Sequence, residues 1–287
     1  MWNKSNPQRK FVQLIFDTTS KYPNWDPPSE ILVGSYGRID KATGNFLPQG
    51  SVYSNEFQSY LRDVGIDPES DEHLPRDCPE ESEFMIWSTN VKRFDLNIES
   101  HAGVPGIATA GIKGTWKVKK GTTGAVLLMD KPRMKIIASE VLRKLSSVKL
   151  LQSMHLVAKV FYCPSYTLHL SDKSAGGDNI SIALLASAPV VAPVVTAGAK
   201  TEMKWWSDAQ AGLTRSGSRP EHCFTPLYEL LHVTLPNKKR ASSSTDENLW
   251  VAPPLPWQPL DEDGEEVPVY INDNTDSSDS EGDSDLE

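Results

Sequence analysis

Two long stretches of this chain, residues 84–129 and 166–206, alternate apolar and polar side chains with a period of two. Each is interrupted by a centre rich in glycine, alanine or proline. A period of two puts successive side chains on opposite faces of an extended strand, so both stretches are expected to form β-structure. In the first, Phe94, Leu96 and Ile98 alternate with Asp95, Asn97 and Glu99. Beyond the break, Ile112, Trp116 and Val118 alternate with Lys113, Thr115, Lys117 and Lys119. In the second, Ile180 and Ile182 flank Ser181, and Ala197, Ala199, Thr201, Met203 and Trp205 alternate with Gly198, Lys200, Glu202 and Lys204. One reading is two half-buried antiparallel hairpins of an ordinary sheet. The other is a pair of hairpins able to lengthen into a membrane, where a strand needs only ~9–11 residues of this pattern.

The flanking sequence supplies helices and further strands. An amphipathic helix is expected within the first twenty residues: Phe11, Val12, Leu14 and Ile15 are its apolar side, with Arg9, Lys10 and Lys21 around them. Pro23, Pro27 and Pro28 end it. Residues 31–40 and 45–53, joined by a turn at 41–44, read as a hairpin, and residues 55–83 as a polar surface segment with a short helix at Phe57, Tyr60 and Leu61. Residues 125–129 form a buried-type strand. Ile136, Ile137, Leu142, Leu145 and Val148 lie at helical spacing, which predicts a helix from Pro132 to about residue 152. Residues 156–160 and 166–170 read as one strand interrupted at Pro164. A Gly/Ser/Arg loop at 212–219 precedes a last strand, 224–233. The expected fold is α+β: a twisted, mainly antiparallel sheet with packed helices over residues 1–237.

Charge divides the chain differently. Of the net −9, residues 241–287 supply −14, having fourteen acids and no Lys or Arg, and the rest is left at +5. Residues 101–240 hold nineteen cations against eight acids. The Ser-, Pro-, Asp- and Glu-rich composition past residue 237 cannot offset the entropy of ordering. Residues 238–287 are therefore expected to be a disordered acidic tail, apart from a candidate docking segment at 250–257 with its two tryptophans. The tail reads either as a solubilising appendage or as an inhibitor of the basic centre. The cations at 113, 117, 119, 120, 131, 133, 135, 143 and 144 form either a solvated face or a site for an anionic partner. Among the candidate stacking aromatics that nucleic acid favours, only Trp116 lies beside them, so nucleic acid is not expected as a partner.

The sequence offers no catalytic or metal-binding constellation. Cys78, Cys163 and Cys223 are too scattered for a disulfide framework or a zinc site, and the six histidines form no i,i+4 pair. Residues 34–37, Gly-Ser-Tyr-Gly, lack the strand–turn–helix context of a phosphate loop, and a tight strand bend explains them better. Ser216 sits in no Gly-x-Ser-x-Gly elbow. Neither enzyme activity nor a cofactor nor a metal is expected. The first residues carry no signal-like apolar core. Residues 179–199 are uncharged but hold Pro189 and Pro193, which argues against a constitutive spanning helix.

The order of these elements resembles the pore-forming domain of the gasdermins, in particular the short fungal gasdermin-like cell-death proteins. Residues 33–40, 43–46 and 50–53 look like their first hairpin. Residues 94–99 with 106–111 resemble their first membrane hairpin, with its Ala/Gly-rich centre. The segment 132–152 leading into 156–160 resembles their helix and following strand, and 224–230 resembles the closing strand. The resemblance covers about residues 10–235. It implies a cytoplasmic protein that a protease releases from its C-terminal part and that then acts at the plasma membrane. There it binds acidic phospholipid, oligomerises with its own copies and inserts β-hairpins as a pore. Carried onto this sequence, the lipid-binding candidates are Arg9, Lys10, Lys113, Lys117, Lys119, Lys120, Arg133, Lys135, Arg143 and Lys144. The small residues expected to reach deepest are Ala108, Ala110, Ala197 and Ala199, and Lys238, Lys239 and Arg240 mark a candidate cleavage region. The alternative is a soluble lipid- or protein-binding module that never inserts.

Overall fold

The architecture is that of a computed structural model, which describes residues 6–94, 112–172, 179–183, 206–208, 212–234 and 249–267. The fold is α+β, with antiparallel sheets and few helices. Helix α1 (Pro7–Thr19) is followed by strands β1 (Tyr22–Pro23), β2 (Ser35–Ile39) and β3 (Phe46–Ser51), then by the short helix α2 (Gln58–Asp63). Next come β4 (Arg76–Asp77), β5 (Glu83–Trp87), β6 (Val91–Phe94), β7 (Ile112–Val118), β8 (Ala125–Asp130), β9 (Arg133–Ile136) and helix α3 (Ser139–Leu145). Strands β10 (His155–Cys163), β11 (Ser165–Leu170), β12 (Asn179–Ala183), β13 (Trp206–Asp208), β14 (Gly212–Ser218), β15 (Phe224–Val233) and β16 (Trp250–Val251) follow among the described residues.

Three sheets result. The first runs β1-β15-β10-β2-β3, with β16 added to β15, β9 to β10 and β4 to β9. The second runs β13-β14-β11-β8-β5 and the third β12-β7-β6. Helix α1 is wedged between two cores. Phe11 and Ile15, one turn apart, are fully buried against Leu127, Tyr166 and Phe224, while Val12 and Phe16 pack toward Tyr22 and Tyr228. Two apolar stripes on one short helix make it the joint between the first and second sheets. Asn6 starts the helix by accepting the Arg9 N–H on its side chain at 3.2 Å, with Pro7 next, where no backbone donor is needed.

The hairpin read at 31–53 is present as β2–β3, the strand read at 125–129 as β8, and the last strand as β15. Residues 34–37 are indeed a strand bend. Gly34 adopts a positive φ of 83°, and a side chain at Gly37 would overlap the Leu47 carbonyl of β3.

Four expectations are corrected. The helix from Pro132 to residue 152 is a strand followed by a seven-residue helix. Met134, Lys135 and Ile136 pair with β10 on one side, and Lys135 and Ile136 with β4 on the other. Two waiting strand edges outweigh a helical period carried by only a few apolar residues. Residues 212–219 contain a strand, β14, whose glycines and serines pair residue for residue with β11. The strand expected to be interrupted at Pro164 is two strands of different sheets, because Pro164 offers no N–H to continue the ladder and the chain changes sheets there.

The fourth correction concerns the end of the chain. Order does not stop near residue 237, nor is the docking segment limited to 250–257: residues 249–267 form a strap across the first sheet and α1. The Trp250 indole donates to the Leu142 carbonyl at 2.6 Å, and the Tyr22 hydroxyl donates to the Pro253 and Pro254 carbonyls, each at 3.2 Å. Trp250, Trp257 and Leu260 are buried. Burying large apolar side chains at about 1.5–3 kcal/mol each offsets the entropy that the surrounding acidic composition could not.

Candidate functional site

The strap reaches the end of α1 through a tight acidic turn, residues 261–265. Asp261 accepts the Asp263 and Glu265 N–H groups on its side chain, at 2.9 and 3.0 Å. The Asp263 carbonyl accepts the Asn6 N–H at 2.9 Å. Gly264 closes the turn at a φ of 84°, with no room for a side chain against the Asn6 carbonyl. Gly264→Ala should therefore detach this turn. Strained left-handed backbone and a clash with main chain add up to about 1–3 kcal/mol. Hydrogen exchange checks this: faster exchange at the Asn6 amide and the strap amides is expected, with the core amides of β10 unchanged.

Arg9 and Lys10 lie under that turn. The sequence placed them around an apolar stripe and, through the resemblance, among the lipid-binding candidates; both are more than nine-tenths buried. A buried ammonium needs acceptors. Lys10 Nζ donates to the carbonyls of Asp261 (2.6 Å) and Leu260 (3.5 Å), with the Glu262 carboxylate 3.9 Å away. Arg9 Nη2 donates to Glu266 Oε1 at 2.9 Å, and its guanidinium lies 4.9 Å from the centre of the Trp257 ring. Lys41 Nζ stands 3.5 Å from the same Glu266 oxygen. Partial desolvation pushes the Glu266 carboxyl pKa up, but the Gln258 N–H, Arg9 and Lys41 together pull it below the ordinary carboxylate range. The strap thus supplies the anions and carbonyls that α1's cations require.

A second cationic group sits at the near end of the third sheet. Lys117, Lys119 and Lys120 are exposed there. The cross-strand register places Lys92 of β6 directly opposite Lys117 of β7. Like charges directly opposite each other in a sheet cost stability. Lys92 was missed in the sequence because the alternation of Phe94, Leu96 and Ile98 assigns it to the apolar face, and only the β6–β7 register sets it opposite Lys117. Lys113 belongs to β7 as expected, and its side chain lies outside the described residues. The strap touches this end as well: the Thr123 N–H, between β7 and β8, donates to Glu262 Oε2 at 2.7 Å.

The remaining cations lie elsewhere and are partly neutralised. Arg133 pairs with Glu80 at 2.9 Å. Lys135 is 3.9 Å from Asp77 and 5.5 Å from the centre of the Tyr162 ring. Arg143 and Lys144 are exposed on α3. Lys144 donates to the Gly65 carbonyl at 2.8 Å and borders a pocket of about 500 Å³ that also holds Asp67, Glu72 and Glu140. The single basic face read from the sequence is therefore three separate groups. Ala108, Ala110, Ala197, Ala199, Lys238, Lys239 and Arg240 lie outside the described residues.

Among the described residues, no helix is long and apolar enough to cross a membrane, and no group of His, Cys, Asp and Glu is placed to hold a metal ion. A scan against protein-family models finds no match for this chain, and neither does a search of curated proteins.

Proposed function

We propose that this chain is a gasdermin-like pore-forming protein, cytoplasmic while its strap is in place and active at the plasma membrane once a protease has freed it. In this reading it binds acidic phospholipid, oligomerises with its own copies and extends two β-hairpins through the bilayer. The observation that supports the reading best is the relation between the second and third sheets. The order β11-β8-β5 in one is repeated as β12-β7-β6 in the other, and each strand of the third sheet is the next or preceding strand along the same chain segment. Three consecutive antiparallel segments thus run through both sheets as neighbours. Straightened, 83–94, 112–130 and 165–183 each exceed the ~9–11 residues that a membrane strand requires. Strands that pass from one sheet into the next also make the corners of soluble orthogonal sheets; what supports the reading here is that the same neighbours are already paired on both sides of the bend, so extension needs no new partners.

The strap supports the rest. It occupies the cations of α1 with its own carboxylates and carbonyls, while among the described residues no strap contact covers the exposed Lys92, Lys117, Lys119 and Lys120, the surface we assign to the anionic leaflet. A full-length chain carrying a site-specific protease sequence within residues 235–248 tests the reading. After cleavage it is expected to release dye from vesicles of phosphatidylcholine and phosphatidylserine at 3:1, at least tenfold faster than before cleavage. Pure phosphatidylcholine vesicles should stay sealed. If cleaved and intact chains both bind without leakage, the protein is a non-inserting lipid-binding module instead.

A further inference from the structure

We infer that Glu262 is the lock on the seam between the second and third sheets, holding the strands of one bent off those of the other. The lock itself rests on the contacts below; only what the unlocked strands then do rests on the pore-forming reading. Two of the crossings at the seam lie wholly among the described residues, at 88–90 between β5 and β6 and at 119–124 between β7 and β8. The two turns are laced together. Asn90 Nδ2 donates to Thr122 Oγ1 (3.0 Å) and the Thr123 carbonyl (2.6 Å), and the Lys119 N–H donates to the Asn90 carbonyl at 3.0 Å. The fully buried Ser88 and Ser171 tie the same turns to β8 and β11: the Ala125 N–H donates to Ser88 Oγ at 2.9 Å and the Gly124 N–H to Ser171 Oγ at 2.7 Å.

Every one of those partners belongs to the sheets or their turns. Glu262 comes from the strap. It takes the Thr123 N–H on its carboxylate at 2.7 Å and the Thr123 hydroxyl on its carbonyl at 3.1 Å. Thr123 is only 5% exposed with the strap in place, and Glu262, whose side chain is 41% exposed, is part of that cover, so removing the carboxylate takes the acceptor from the Thr123 N–H and opens the turn to water. The same carboxylate stands 3.9 Å from Lys10 Nζ. One side chain therefore joins the seam to α1, the wedge between the two cores.

The register shows what the lock restrains. β5 pairs with β8 through Trp87↔Val126, and β6 with β7 through Val91↔Val118. Between those pairs one strand has residues 88–90 and the other 119–125, four more. Making one continuous hairpin requires β6 to slip against β7 by that difference. An even slip leaves every side chain on its original face, so the alternation survives it. The slip must pass through the turn that holds Thr123. It must also withdraw Trp116, 0% exposed among Val91, Val118, Val126 and Leu128, whose indole N–H has no acceptor among the described residues.

Hydrogen exchange on the full-length chain, read at the Lys119, Thr123 and Ser171 amides, tests the lock. Glu262→Ala is expected to speed exchange at these amides at least tenfold while leaving unchanged the Thr234 amide, which donates to Leu249 of the strap, and the strap's own Val267 amide. Glu262→Gln keeps an acceptor oxygen and should exchange like the parent at the seam. Glu266→Gln, which loosens Arg9, Lys41 and the Gln258 N–H but makes no contact with Thr123, should do the same. Dye release from the 3:1 phosphatidylcholine–phosphatidylserine vesicles is measured in parallel. The uncleaved Glu262→Ala chain is expected to leak at least tenfold faster than the uncleaved parent. Parent-like seam exchange in Glu262→Ala, or equal opening in Glu266→Gln, overturns the lock. Seam opening without leakage, when the cleaved parent does leak, also overturns it as the restraint on extension. Seam opening with no leakage from any form, cleaved parent included, leaves the lock standing and overturns the pore-forming reading.

Discussion

Replacing Lys92, Lys117, Lys119 and Lys120 by Glu is expected to abolish sedimentation of the cleaved chain with phosphatidylserine-containing vesicles. Each lysine near an anionic leaflet contributes about 1 kcal/mol. Losing four removes about 4 kcal/mol, roughly a thousandfold in partitioning, before the new repulsion is counted. The fold should tolerate the change, since all four side chains are exposed. Stability should even move the other way for one of them. Lys92→Glu alone turns a like-charge pair with Lys117 into an opposite-charge pair, worth roughly 0.2–1 kcal/mol in urea unfolding. A gain in stability alongside weaker lipid binding separates function from folding. Unchanged sedimentation of the folded quadruple variant would move the lipid site to the α1 cations, beneath the strap.

Lowering the pH from 7 to 4 is expected to cost about 3 kcal/mol of unfolding free energy through His169 alone. His169 lies at the centre of the second sheet, 3% exposed, between Val126 and Thr214. Its Nδ1 is 2.8 Å from Thr214 Oγ1, and burial lowers its pKa from 6.5 to about 4. The unfolded chain takes up the proton below about pH 6.5, and the folded chain resists until about 4. Within that window the unfolded state binds more protons, so stability is complete above it and falls as the pH falls. A shift of this size corresponds to about 3 kcal/mol. His155 adds to the same slope. Burial, then the neighbouring His232, then Arg38 lower its pKa. Carboxylates titrate over the same range, so the readout is a difference: His169→Leu should unfold in urea with a visibly flatter pH dependence than the parent. Parallel curves from pH 6.5 to 4 would show that His169 is not held neutral in the fold.

The α1 helix, the β2–β3 hairpin, β8 and β15 were legible because each satisfies a local rule without help. An amphipathic turn ended by prolines, a glycine-bearing hairpin and short apolar runs announce themselves. Segments with two local options were not legible. Residues 133–136 carry apolar side chains compatible with a helix, yet they are a strand because β10 and β4 stand ready on either side. Residues 212–218 look like a loop by composition and pair fully with β11. The candidate site was legible by charge and not by arrangement. Counting lysines found the basic centre, but nothing in the count separates Lys92 and Lys117, opposed across two strands, from Lys144, set beside acids.

By itself the sequence determined the α+β class, the period-two segments, the position of the main cations and the acidic character of the end, since these follow from side-chain chemistry and its spacing. Only the tertiary structure decided that Arg9 and Lys10 are covered, that Glu262 reaches Thr123 and that the third sheet repeats the strand order of the second. The physical reason is range. Periodicity and composition act over a few residues, whereas a buried cation takes whatever acceptor the folded chain brings to it, and for Arg9 that acceptor lies 257 positions away.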